Sequence, residues 1–409
     1  MQGTRSSIRI SSRGEGLRHA PAWMHDMNQI DKPRTLGDLP TPCLVLDEAQ
    51  LYRNMDRLQV VADARGLAFR PHLKTAKSKH IARLCADRYG PRAMVSTLVE
   101  IEQLRGLGLT DFLYSVAIVP GKFQRVRDLL ADDCRIAVAV DSEAVAKSLV
   151  AFCRESGAQI SAVIEIDLDG HRSGVRPDDA DTLCAIGRAL NVGGLLLGVM
   201  AHAGQSYELS DQVALAACAQ DEAKSTALAA RTLVADGLPC ELVSIGSTPT
   251  ALSGAPYPGV SELRAGVFVF FDLVQAGIGV CSKEEIAMSV LASVISKNER
   301  SGALIIDAGW MALSRDRGTA DQVEDLGYGQ VCLEDGTILQ DMIVADVQQE
   351  HGIIKPREGS QRKLPNLAPG TLVRVLPNHA CATASQHDRY WVLDEQGHVR
   401  DEWPRFSGW

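Results

Sequence analysis

The chain has 409 residues, 45% hydrophobic, 23% charged and 5% aromatic, with a formal net charge of -9. That is too long for one ordinary domain; it suits a barrel of about 250 residues with a smaller partner and has ample apolar material for a core. The acidic balance and the lack of a clustered Lys/Arg face argue against a nucleic-acid partner, no run of about eighteen apolar residues offers a membrane span, and ten scattered cysteines read as buried thiols of a reducing compartment.

Residues 1–35 are rich in Ser, Arg and Gly and lack hydrophobic periodicity. An organelle transit peptide has such a composition, but the segment reads better as a disordered leader, with Met24 or Met27 as an alternative start. No charged-then-apolar signal opens the chain, so a soluble, cytoplasmic protein is expected.

The run TPCLVLD (41–47) precedes a helical stretch, 48–65. Eight β-branched or apolar runs then recur at 68–73, 93–97, 112–118, 135–140, 161–167, 195–203, 241–247 and 262–272. Segments with a 3.6-residue apolar pattern lie between them, at 82–89, 99–107, 145–155, 180–190 and 212–236. Asp141-Ser142 and Ser210-Asp211 give two of these helices their start signals. Eight strands alternating with helices predict a closed parallel (β/α)8 barrel over 36–280, with an open doubly wound sheet as the alternative. From 281 to 409 the pattern changes to SVLASVIS, GALIIDAG, QVCLEDGTILQ, TLVRVLP and RYWVLDEQGHV, strands separated by Asp-Gly and Gln-Gly turns. This is an all-β second domain, and strand 41–47 is the spare strand that can pair with it.

In such a barrel the chemistry sits at the C-terminal ends of the strands. The first end reads RPHLKTAKS and presents Lys74; burial and the cations Arg70, His72 and Lys77 can strip such a lysine of its charge, as a carbonyl-binding lysine requires. Alone it is one more solvated lysine after a strand. The fifth end, EIDLDGHRSGV, offers Arg172 to a phenolate oxygen, and the sixth, HAGQSY, offers His202 and Tyr207. The seventh, SIGSTPT, holds Gly246, Ser247 and Thr248, whose hydroxyls and amides suit a phosphate at a helix start, and the eighth adds Gly266 and Val267.

Together these segments resemble the fold-type III pyridoxal-phosphate enzymes, in the branch of D-serine dehydratase, D-threo-3-hydroxyaspartate dehydratase and D-threonine aldolase. The resemblance runs from TPCLVLD to Trp409. It implies that Lys74 carries pyridoxal 5'-phosphate covalently, that Arg172 reaches the ring oxygen, that Tyr207 lies near the ring, and that Thr248, Gly266 and Val267 hold the phosphate. LPNHACATAS resembles the metal site of that branch, with His379 and Cys381 as ligands. Residues at i and i+2 share one side of an extended strand, and imidazole with thiolate favours Zn2+, with Mn2+ or another divalent ion open.

Cys381 also separates activities, since the aldolases of the branch carry Asp there and the dehydratases Cys. EIDLDGHRSGV, VSIGSTPTAL and IDAGWMALSRDRGTA resemble the D-threo-3-hydroxyaspartate dehydratases most. The expectation is a lyase that removes the α-proton of a D-3-hydroxy amino acid with Lys74, loses the β-hydroxyl to the metal, and yields a 2-oxo acid (oxaloacetate from hydroxyaspartate) and ammonia. Retro-aldol cleavage to glycine and an aldehyde is the alternative; a non-catalytic cofactor-binding protein is the alternative of another class. The resemblance also implies a homodimer. Arg315, Asp316 and the Glu350-His351 pair stand as either substrate or metal supports or as ion pairs, Arg264 as a neighbour of the pyridine nitrogen, and His72 as a support.

Overall fold

A computed structural model describes residues 35–131 and 134–409. The expected leader therefore lies outside the described residues, apart from Thr35. Strand β1 (Cys43–Asp47) leads into the helix Glu48–Arg65, which Asp47 caps by accepting from the Gln50 amide; Gly66, at φ 61, ends it in the left-handed conformation that a glycine adopts most cheaply.

Eight parallel strands follow: β2 (Ala68–Pro71), β3 (Arg92–Val95), β4 (Asp111–Tyr114), β5 (Arg135–Val140), β6 (Ser161–Ile166), β7 (Leu196–Ala201), β8 (Leu242–Ile245) and β9 (Glu262–Ala265). Their order, β2-β9-β8-β7-β6-β5-β4-β3, brings first and last together. The seam between β2 and β3 is closed by one parallel bridge, His72 to Met94, and the Leu73 amide donates to the Met94 carbonyl at 3.0 Å. The sheet is thus a nearly closed barrel, with one thin seam beside the segment that carries Lys74.

Met94, Leu113, Ala139, Val163 and Met200 fill part of the barrel interior. The remainder is ionic: buried Arg70 donates to Glu262 at 2.9 Å and to Asp111 at 2.9 Å. A guanidinium out of water is tolerable only with such partners.

The second domain is antiparallel apart from one pair. Its strands are β10 (Met288–Lys297), β11 (Leu304–Ile306), β12 (Gln330–Leu333), β13 (Ile338–Val347), β14 (Gly352–Pro356), β15 (Leu372–Leu376), β16 (Arg389–Leu393) and β17 (Val399–Pro404). The sheet runs β11-β14-β13-β12-β15-β10-β1-β16-β17. Strand β1 lies inside it, antiparallel to β10 and parallel to β16. Strand β14 had no counterpart in the sequence reading: Glu350 and His351 form the exposed turn before it, with Gln348 donating to the His351 carbonyl at 2.7 Å.

Candidate active site

At the C-terminal ends of the barrel strands, beneath the second domain, lies a cavity of about 560 Å³. Lys74, Arg172, Tyr207, Gly246, Ser247, Thr248, Gly266, Val267, His379 and Cys381 all line it. Residues from five strand ends and from a loop more than a hundred residues further along the chain therefore face one space. Glu350, His351 and Arg315 do not line it; Arg315 stacks on Trp310 with its guanidinium carbon 4.5 Å from the ring centre.

Lys74 follows β2 and is exposed within the cavity, with no hydrogen-bond partner among the described residues. The cations expected to crowd it are engaged elsewhere. Arg70 points into the barrel as described, and Lys77, at φ 43, donates to the Gly408 carbonyl at 3.1 Å and lies 3.9 Å from Glu100. Burial is likewise not what marks Lys74 out. His72 lies behind it, its Nε2 2.9 Å from Ser96 Oγ; burial first, then the Lys74 charge, pushes that imidazole well below its usual range, so it is neutral.

The loops after β8 and β9 form a cup. Among the described residues Thr248 Oγ1 is buried without a partner, and no acceptor takes the amides of Gly266 and Val267. Buried donors left open in this way fit an anion such as a phosphate monoester. Gly246 and Ser247 serve differently: the Gly246 amide is taken by Glu222 at 3.0 Å and the Ser247 amide by Thr250 Oγ1 at 3.1 Å, so these two residues shape the cup from below. Gly246 has φ 135, and a Cβ there would collide with the Arg264 backbone, so only glycine lets β8 and the next loop pass β9.

Arg172 comes from the loop after β6 and has no hydrogen-bond or ion-pair partner among the described residues, which leaves its guanidinium free for an oxyanion in the cavity. The Tyr207 phenol meets the Thr248 amide and is pushed above its usual range by burial. His202 donates from Nδ1 to the Gly246 carbonyl at 2.9 Å. Arg264 is buried against Ser244 Oγ and the Ala201 carbonyl.

His379 and Cys381 do not lie on a strand. His379, at φ -132 and ψ 109, is the N-cap of the short helix Ala380–Ala384, and Cys381 is in its first turn. The helix begins there because Asp272, after β9, accepts from the Ala380 amide at 2.9 Å, while the Leu273 and Val274 amides donate to Pro377 and Asn378 at 3.0 and 3.1 Å. Cys381 Sγ shares a hydrogen bond with Thr75 Oγ1 at 3.2 Å, and His379 Nδ1 lies 3.4 Å from Asp316. The Asp316 hydrogen bond, then that of Cys381, lifts His379 to about 11. Burial opposes ionisation of Cys381, but His379 and Lys74 hold the thiol below its ordinary value. Such a thiol and imidazole side by side fit a soft divalent ion, which takes the place of the proton between the two groups. No cluster of three or more such ligands occurs among the described residues, so coordination positions would remain for substrate or water.

Sequence reasoning weighed Asp316 without its partner and missed Thr75, Asp272 and Glu222. Asp272 had one available signal, a polar residue closing the apolar run of β9.

Known proteins share this architecture. The family described as "Alanine racemase, N-terminal domain" matches residues 46–274, and "Putative serine dehydratase domain" matches 287–393. A D-threo-3-hydroxyaspartate dehydratase from Delftia sp. (strain HT23) is 47% identical over 92% of this chain and 99% of its own. The solved structure of the enzyme of that name from Delftia sp. HT23 superposes with a TM-score of 0.88 at 46% identity, covering 92% of this chain and 100% of its own; a mutant of a D-threo-3-hydroxyaspartate dehydratase in the metal-free form gives 0.87 at the same identity and coverage. A 3-hydroxy-D-aspartate aldolase from Paracoccus denitrificans (strain Pd 1222) is 26% identical over 90% of this chain and 92% of its own.

Proposed function

Because the chain belongs to the fold-type III pyridoxal-phosphate enzymes, in the branch that includes D-serine and D-threo-3-hydroxyaspartate dehydratases, we propose that it converts D-threo-3-hydroxyaspartate to oxaloacetate and ammonia. One observation carries the reading. Thr75, the residue after Lys74, touches the Cys381 thiol at 3.2 Å, so a base and a metal-binding pair face one substrate from adjoining positions.

Thr248, Gly266 and Val267 would hold the cofactor's phosphate, Arg172 its ring oxygen, with Tyr207 beside the ring and Lys74 the covalent attachment. Bound pyridoxal phosphate supplies an electron sink that acidifies the substrate's α-hydrogen. His379 and Cys381 would hold a divalent ion, zinc by their donor atoms, which supplies a Lewis acid for the β-hydroxyl. Lys74 Nζ, without a protein partner, takes the α-proton. Asp316 orients His379. Loss of hydroxide leaves an unsaturated amine that water converts to oxo acid and ammonia.

The reading extends to a cytoplasmic homodimer. Ten free cysteines, six buried and four half-buried, support a reducing compartment, and the family resemblance supports the dimer. Among the described residues no helix is long and apolar enough to cross a membrane.

The test is to incubate the purified protein with D-threo-3-hydroxyaspartate, D-serine and D-threonine, with and without chelator, and to identify products. Oxo acid and ammonia, lost on chelation, are expected. Glycine would instead reveal an aldolase, and full turnover after complete metal removal would eliminate the metal's role.

A further inference from the structure

The helix Gln212–Ala235 packs on the barrel with small residues, Ala219, Ala223, Ala229 and Ala230 among them. Glu222 breaks that pattern: it is 1% exposed, and no cation pairs with it in a salt bridge among the described residues. A carboxylate is costly to bury without strong hydrogen bonds. Glu222 finds them chiefly in backbone: Oε1 accepts from the Ala203 amide at 3.1 Å and the Gly246 amide at 3.0 Å, and the Thr250 hydroxyl lies against the same carboxylate.

These amides belong to the loops that follow neighbouring strands. The β7–β8 ladder ends at the pair Met200 and Ser244, and Glu222 joins the two chains just beyond it. Gly246 is held from both sides, its amide by Glu222 and its carbonyl by His202 Nδ1 at 2.9 Å. Ser247 comes next, tied to Ser206 Oγ at 3.0 Å, and then Thr248, which lines the cavity with its hydroxyl buried and unpartnered among the described residues. The carboxylate thus fixes the floor from which the cup rises without touching what the cup would hold.

We infer that Glu222 is a positioning residue for the phosphate cup, clamping the loops after β7 and β8 so that Thr248 faces the phosphate of the cofactor. The inference rests on the cofactor reading above and adds to it a residue outside the cavity wall. An acceptor oxygen, rather than a negative charge, is what the two amides require.

The test compares pyridoxal phosphate with pyridoxal, which lacks the phosphate, by absorbance titration of the full-length protein after cofactor removal. Glu222→Asp draws the carboxylate back by one methylene; it should weaken pyridoxal phosphate binding at least about tenfold, the scale of losing hydrogen bonds to a charged acceptor, while pyridoxal binding changes less than about twofold. Glu222→Gln keeps an acceptor oxygen and should bind pyridoxal phosphate within about threefold of wild type. A Glu222→Asp protein that binds the phosphorylated cofactor normally, or loses both ligands equally, overturns the inference. So does a folded Glu222→Gln protein without preference for the phosphorylated form, which decides the matter even if Glu222→Asp does not fold. Wild type binding both ligands equally would instead sink the cofactor reading, and the clamp's role with it.

Discussion

His202 shows how one ring reports its surroundings. Burial, then the charge of Arg172, pushes it down to about 3, against the weaker upward pull of the Gly246 carbonyl. The unfolded chain therefore takes up a proton near pH 6.5 that the folded chain refuses until about pH 3. Stability is complete above the unfolded value and falls as pH drops through that window, by up to about 1.4 kcal/mol per pH unit from this ring. In His202→Asn the amide nitrogen can reach the same carbonyl without titrating, so its melting temperature should fall less than that of wild type between pH 7 and pH 5; parallel curves would refute the assignment. Lys74→Ala should lower oxo-acid formation by about 10²-fold to 10⁴-fold or more, since the base and the point of attachment go together. Asp316→Asn should weaken metal binding by about tenfold to a hundredfold in competition with a chelator, leaving the cofactor's absorbance unchanged. At this scale the sequence shows residue types better than partners. Lys74 and Arg172 stand out because a barrel places chemistry at strand ends, whereas Glu222 sits in a helix among other polar residues such as Gln220, Asp221 and Lys224, and nothing local says that two distant amides await it.

Among the elements, the eight barrel strands were legible because strands buried on both faces read as continuous apolar runs, and five of the helices between them by periodicity, two with caps as well, whereas the two-turn helix Phe123–Leu129 was too short to show a period. The His379–Cys381 segment was read as extended because the spacing of two suits a strand. Tertiary contacts decided otherwise: the Asp272 carboxylate starts a helix at Ala380, which no local signal encodes. The loop bearing Lys74 is governed by distant elements too. The Ala76 carbonyl accepts from Tyr390 Oη at 2.7 Å and Arg405 Nε at 3.1 Å, and Arg405 also reaches the His387 carbonyl at 2.7 Å. Arg405→Ala should cost about 1.5–3 kcal/mol, because it leaves the half-buried His387 carbonyl without its donor and removes one of the two donors to the Ala76 carbonyl. Urea unfolding measures this, and an unchanged midpoint would show that the C-terminal segment does not hold the lysine loop.

For the whole molecule, the sheet of the second domain depends on a strand from the other end of the chain. Between β10 and β16 lies β1, with Leu44, Val45 and Leu46 at 1% exposure or less. Each such side chain contributes about 1.5–3 kcal/mol by burial. Without β1 the hairpin β16–β17 loses the only ladder that ties it to the sheet among the described residues, and a lone two-stranded hairpin is marginal in water. Residues 281–409 alone should therefore leave 389–404 open to rapid amide exchange, and a peptide spanning 36–47 should restore protection by filling the gap. Protection of 389–404 without the peptide would mean that β10 and β16 can pair directly. The same architecture bears on the site: the hairpin β16–β17, which β1 ties to the sheet, leads to Arg405, whose Nε donates to the Ala76 carbonyl in the lysine loop, so the strand that completes the sheet also supports the Lys74 side of the chemistry.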